Sequence, residues 1–144
     1  MNRTASAAWQ GGLKDGKGTI TTASGVLTAA RYSFGTRFEQ GIGTNPEELI
    51  AAAHAGCFAM ALSAQLGEAG ITPENIQVKA TVSLEKTSAG WTVTASHLDA
   101  RARIPGGDRL AFERAAENAK AGCPISRLLN AKISMDAQLE SAAG

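Results

Sequence analysis

Thr44-Asn45-Pro46-Glu47-Glu48-Leu49-Ile50-Ala51-Ala52-Ala53-His54-Ala55-Gly56-Cys57-Phe58-Ala59-Met60-Ala61-Leu62-Ser63-Ala64-Gln65-Leu66-Gly67 is the stretch around which the chain is organised. Its start is well marked. Asn45 suits an N-cap, Pro46 the first helical position, and Glu48 completes a capping box. Gly67 is a C-terminal stop, with Gly70 and Pro73 beyond it. Between those signals nearly every residue is apolar or small, and no polar face of any width remains. Such a pattern predicts a helix buried all round. At its middle stands Cys57, one of two cysteines. Leu49 to Leu66 has the length of a membrane span. It is built mainly of alanine, however, contains His54, Gly56, Ser63 and Gln65, and lacks flanking aromatic belts or basic runs. A buried helix of a soluble protein, with no membrane partner, is the expectation.

The 144 residues are read as a single domain over 1–144. A net charge of +1 gives no footprint for nucleic acid and none for acidic substrates. Met1 to Gly12 holds no apolar run of the signal-peptide kind, which makes the cytoplasm the expected compartment. Thiols stay reduced there. Two cysteines 66 residues apart then point to catalysis, redox chemistry or metal binding rather than to a structural staple.

Outward from the central helix, Thr4–Trp9, Gly18–Thr22 and Val26–Ala29 read as three short strands of a meander. Arg31 to Gly43 reads as a strand or extended loop leading into the helix. Downstream, Ile76, Val78, Ala80, Val82 and Leu84 alternate with polar residues, and Thr87-Ser88-Ala89-Gly90 turns this strand into a partner. In that partner the apolar parity shifts between Trp91/Val93/Ala95 and Leu98/Ala100/Ala102/Ile104, which predicts a β-bulge near Ser96-His97. Asp108 caps a second helix that ends at Gly122, Cys123-Pro124 opens a short third, and Ile133, Met135, Ala137 and Leu139 mark a last strand. The order implies an α+β fold with a mostly antiparallel sheet. A helix apolar on every side needs more cover than one sheet provides, so a second copy of the chain is expected to supply the rest.

A buried cysteine is by default a small hydrophobe. Three features argue for more. Ile50, Ala53, His54, Met60 and Ala61 surround Cys57 along the helix and leave room for an apolar ligand. Cys123 lies where Gly122 ends one helix and Pro124 begins the next, and a helix N-terminus favours a thiolate. Arg37 stands between Phe34 and Phe38 with no anion beside it. An ordinary thiol is only a few per cent ionised at neutral pH, and lowering its pKa by about 2.5 units needs about 3.4 kcal/mol. A guanidinium in a low-dielectric pocket provides energy of that order, and Glu47 or Glu48 could orient it. Glu48 precedes Cys57 by nine positions, about half a revolution around the helix and about 13 Å along it. Within one straight helix the two cannot meet.

Tyr32-Ser33-Phe34-Gly35-Thr36-Arg37-Phe38, Gly43-Thr44-Asn45-Pro46-Glu47-Glu48-Leu49, Ala53-His54-Ala55-Gly56-Cys57-Phe58 and Ala119-Lys120-Ala121-Gly122-Cys123-Pro124 together resemble the OsmC/Ohr family of organic hydroperoxide peroxidases. The likeness extends over nearly the whole chain and is greatest to the OsmC branch, where the arginine falls within a Thr-Arg-Phe triplet. The resemblance implies an intertwined homodimer in which a long central helix packs on a bent antiparallel sheet and the active sites lie at the subunit interface. It also implies that Cys57 is the peroxidatic cysteine, Cys123 the resolving one, and Arg37 with Glu48 the pair that activates the thiolate. An organic hydroperoxide is then the substrate, a dithiol of lipoyl type the reductant, and no cofactor or metal is required. Two alternatives stand beside this. His54, Cys57, His97 and Cys123 could form a two-histidine, two-cysteine zinc site. Alternatively, inert cysteines could belong to a small-ligand-binding stress protein without catalysis.

Overall fold

A computed structural model describes residues 1–140 of the chain. The chain forms two compact units, Met1–Leu49 and Ile50–Gly144.

The first unit is built on an antiparallel meander of β1 (Ala5–Gln10), β2 (Lys17–Thr22) and β3 (Ala30–Tyr32), in that order. Gly18 sits at its centre, paired with Trp9 on one side and Tyr32 on the other. The two rings lie 5.5 Å apart, centre to centre. A Cβ at position 18 would run into both of them, so only glycine fits. Val26 to Ala29, expected as a strand, form a loop instead. Its hydrogen bonds are local: the Thr22 amide donates to Leu27 O, and the Leu27 amide to Thr22 Oγ1. Gly25 and Ala29 both take positive φ, so the chain turns there and the third strand begins only at Ala30.

The stretch after β3, expected to be extended, contains the short helix α1 (Phe34–Phe38). Ser33 and Thr36 cap it reciprocally. Ser33 Oγ accepts from the Thr36 amide at 3.2 Å, and Thr36 Oγ1 accepts from the Ser33 amide at 2.8 Å. Five residues are too few to show a helical period, which is why the apolar pattern did not disclose it. Gly43 (φ +142°) then lets the Thr44 amide reach Arg31 O at 2.8 Å.

Helix α2 (Pro46–Glu68) begins where its caps predict, with Asn45 Oδ1 accepting from the Glu48 amide at 2.8 Å. Its burial differs from expectation. His54, Phe58, Leu62 and Leu66 are buried, a single stripe of every fourth residue. Met60, by contrast, is 77% exposed, and Ala52, Ala53 and Gly56 are exposed with it. An all-round apolar helix in one copy of the chain has cover for one face only. By length and mean hydropathy (1.5) α2 would also suit a membrane span. Yet both ring nitrogens of His54 hydrogen-bond to serines on other elements, which ties this face of the helix into protein.

The second unit carries a sheet of order β4 (Asn75–Thr87), β5 (Gly90–Arg103), β6 (Lys132–Glu140). β4 and β5 are antiparallel, whereas β5 and β6 are parallel. Helices α3 (Arg109–Gly122) and α4 (Pro124–Leu128) form the connection between β5 and β6, and such a crossover returns the chain in the same direction. The bulge lies at Thr94, unmatched between the pairs Ser83–Ala95 and Leu84–Val93, two residues before its expected place. Beyond it Ser96, Leu98, Ala100 and Ala102 point inward. Leu98, Ala100 and Ala102 pack with Phe58, Leu62 and Leu66 of α2 and with Phe112, Ala115, Ala116 and Ala119 of α3 to make the core. Each large side chain so buried contributes about 1.5–3 kcal/mol.

Candidate active site

Cys57 lies midway along α2, beside the buried stripe and half-exposed itself. Cys123 is fully buried at the junction of two helices. Its amide closes α3 by donating to Ala119 O at 2.9 Å, and Pro124 follows as the first residue of α4. A residue that caps both helices has a fixed backbone, and its side chain takes no part in the capping. The sulfur is thus left for other work. Cys123 Sγ lies 2.8 Å from Cys57 Sγ, with both thiols free. A bond between them needs only a small closing movement.

Burial pushes the Cys57 thiol up from its ordinary pKa, because a thiolate loses hydration there. Contact with Cys123 acts in the same direction, since two sulfurs this close do not both hold a negative charge. The backbone N–H of Ile125, in the first turn of α4, donates to Cys57 and pulls the other way. Within this unit, then, the balance favours the neutral thiol. The expectation of an ionised Cys57 therefore rests on a cation from outside this immediate set of groups.

Arg37, in the first unit, is held by Glu47. Its Nε lies 3.1 and 3.2 Å from the two carboxylate oxygens, and its Nη2 lies 2.7 Å from Oε1. This is a bidentate clamp. The guanidinium carbon also stands 5.3 Å from the Phe38 ring centre. Trp9, Leu13, Tyr32, Phe34, Phe38 and Pro46 join Arg37 in lining a cavity of about 270 Å³. Glu48, which the family resemblance pairs with Arg37, accepts instead from Thr44 Oγ1 at 2.7 Å while its amide is capped by Asn45. Either carboxylate was a candidate on sequence grounds; Glu47 is the one that meets the arginine here.

The four residues of the alternative zinc site do not converge. His54 is fully buried, with Nδ1 2.7 Å from Ser96 Oγ and Nε2 2.8 Å from Ser126 Oγ. Burial lowers its pKa, so the ring is neutral at neutral pH. His97, one residue after Ser96, points to the opposite face of β5. There its Nε2 lies 3.3 Å from both Asp99 and Asp136, and its Nδ1 2.7 Å from Ser134 Oγ. Alternation along a strand separates the two histidines, and neither serves the cysteines as a metal ligand. Sequence reasoning passed over Ser96, Ser126 and the Ile125 amide. No local pattern marks them, because their roles arise only where α2, β5 and α4 come together.

Residues 39–138 match the family model described as OsmC-like protein. The chain is 51% identical over 141 residues to peroxiredoxin OsmC of Escherichia coli K12, covering 98% of this chain and 99% of that one. Among solved structures, the organic hydroperoxide resistance protein OhrB of Bacillus subtilis is 26% identical, with a TM-score of 0.67 over 94% of this chain and 97% of its own. An OsmC-like protein of unknown function from Vibrio cholerae, 17% identical, shares the fold with a TM-score of 0.75 over 95% of this chain and 99% of its own.

Proposed function

Because the chain belongs to the OsmC-like family, we propose that it is a cysteine-based peroxidase that detoxifies organic hydroperoxides through Cys57 and Cys123. The observation that carries this reading is the pair of free thiols 2.8 Å apart, one half-exposed and one buried. In the first step the Cys57 thiolate attacks the terminal peroxide oxygen. An S–O bond forms, the O–O bond breaks, and the departing alkoxide takes up a proton to leave as an alcohol. Cys57 is then a sulfenic acid. Cys123 attacks its sulfur, a disulfide forms, and the hydroxyl group leaves as water. An external dithiol, of lipoyl type by family resemblance, restores both thiols by exchange.

Arg37 is assigned, from the same resemblance, the task of opposing the burial that keeps Cys57 neutral. It also stabilises the charge that moves onto the O–O bond. Glu47 fixes its orientation, and Glu48 is the second carboxylate of the set. The aromatic and aliphatic surroundings of Arg37 suit an alkyl or lipid hydroperoxide better than hydrogen peroxide. We place this chemistry in the cytoplasm, in one OsmC-like domain that uses the full 1–144 chain. A binding module with inert cysteines is the weaker reading beside a peroxiredoxin relative that matches 98% of the chain.

The test follows the oxygen atom. With an alkyl hydroperoxide, Cys123→Ser should stop after the first step and accumulate a Cys57 sulfenic acid that a dimedone adduct reveals by mass. The native chain under the same conditions should give the intramolecular disulfide. An unmodified Cys123→Ser protein after peroxide treatment would count against the assignment.

We further propose a homodimer with its active sites at the subunit interface. Ala52, Ala53, Gly56 and Met60 form an exposed apolar strip on α2, and the space where a Gly56 side chain would project is empty. A second α2 could lie close against such small residues. Met60→Glu, which puts a charge into that contact, should convert a dimer to a monomer in analytical ultracentrifugation. A native chain that sediments as a monomer at micromolar concentration would remove the dimer from the proposal.

A further inference from the structure

We propose that His54 is a positioning residue: with Ser126 it latches α4 to α2 and so holds Cys123 in register with Cys57. The inference rests on the peroxidase reading for its meaning but not for its geometry. Two contacts between side chains join these helices. Cys57 meets Cys123 through the sulfurs at 2.8 Å, and His54 Nε2 meets Ser126 Oγ at 2.8 Å. His54 is three residues before Cys57, and Ser126 three residues after Cys123. On each element the two residues are about one helical turn apart, roughly 4.5 Å along the axis. The contacts are thus two neighbouring rungs. One rung alone would let α4 pivot about its point of attachment, whereas two set both its distance and its rotation.

The ring itself is held from behind. Nδ1 of His54 lies 2.7 Å from Ser96 Oγ on β5, and both His54 and Ser96 are fully buried. A neutral imidazole has one donor and one acceptor, and each serine hydroxyl can rotate to take the complementary role. Ser96 thus stops the imidazole from swinging, and Ser126 receives a fixed partner. The latched segment also carries the Ile125 amide that donates to Cys57. Among the described residues, the sulfur pair and the His54–Ser126 bond are the only polar contacts that link a side chain of α2 to a side chain of α4 or its N-cap.

Without the latch, the disulfide still forms by the same chemistry. The Cys57 sulfenic acid and the Cys123 thiol lose water and make one S–S bond, but Cys123 occupies the attacking position less often. The test compares Ser126→Ala, Ser126→Thr and His54→Gln with the native chain in two arms. In the first, an alkyl hydroperoxide oxidises Cys57 and dimedone competes with Cys123 for the sulfenic acid. In the second, oxidised glutathione closes the same disulfide by exchange, releasing two reduced glutathiones and needing no peroxidase activity.

Ser126→Ala should close the disulfide about fivefold more slowly in both arms, the effect of one partly buried hydrogen bond, and should yield more dimedone adduct. Ser126→Thr keeps the hydroxyl and should restore native closure, which a general loss of stability would not do. Should His54→Gln fold poorly, Ser126→Ala decides alone, since its side chain is on a short helix and only partly buried. Native-rate closure by Ser126→Ala in the glutathione arm would overturn the latch. A native chain that closes with glutathione yet ignores hydroperoxide would overturn the peroxidase reading instead, and the glutathione rates would still decide the latch.

Discussion

Cys57→Ser loses hydroperoxide turnover by about a thousandfold or more, the scale expected when the attacking nucleophile itself is removed. A serine hydroxyl is not ionised at neutral pH and has no sulfenic acid to form, so neither the O–O cleavage nor the later disulfide has a substitute route. Cys123 does not rescue it. That sulfur is fully buried, whereas Cys57 is the half-exposed member of the pair. The measurement is peroxide-dependent oxidation of a small dithiol, with far-ultraviolet dichroism as a check that the variant is folded. Native-level turnover by Cys57→Ser would end the peroxidase assignment, whatever the other variants do.

Arg37→Met lowers the rate of reaction with hydroperoxide at pH 7 by about a hundredfold, a typical loss for removing one fixed cationic or hydrogen-bonding stabiliser. The reason lies in the surroundings of Cys57. Burial and the neighbouring sulfur both hold that thiol neutral, and the single Ile125 amide opposes them. Peroxide chemistry needs the thiolate. If Arg37 supplies the missing stabilisation, the midpoint of Cys57 alkylation against pH lies below the ordinary thiol range of about 8.5 in the native chain and moves upward in Arg37→Met. Methionine keeps an unbranched apolar stem beside the Phe38 ring, so the change is mainly one of charge. An alkylation midpoint identical in both proteins would show that Arg37 does not act on this sulfur.

Much of the architecture could be read from residue order because it depends on local chemistry. Asn45 and Pro46 start α2, Asp108 starts α3, and Pro124 starts α4, each within a residue of the predicted place. Alternation on β4 and β5 announced the long hairpin and even its bulge, though Thr94 rather than Ser96-His97 carries it. These features were legible since a cap or a period-two face involves only neighbours in sequence. The short helix α1 was missed for the opposite reason: its evidence is a Ser33–Thr36 exchange of hydrogen bonds, with too few turns to repeat.

By itself the sequence determined where α2, α3 and α4 begin, the α+β order of elements and the two cysteines as the candidates for chemistry. Tertiary structure alone decided that β6 runs parallel to β5, that Glu47 rather than Glu48 clamps Arg37, and that α2 buries one stripe in a single copy. It also decided that His54 joins Ser96 and Ser126, 42 and 72 residues away, instead of binding a metal with His97. Spacing along a chain limits which faces residues share, but hydrogen bonds and ion pairs over such separations depend on how whole elements meet. That meeting is set by core packing, a property of the folded chain as a whole.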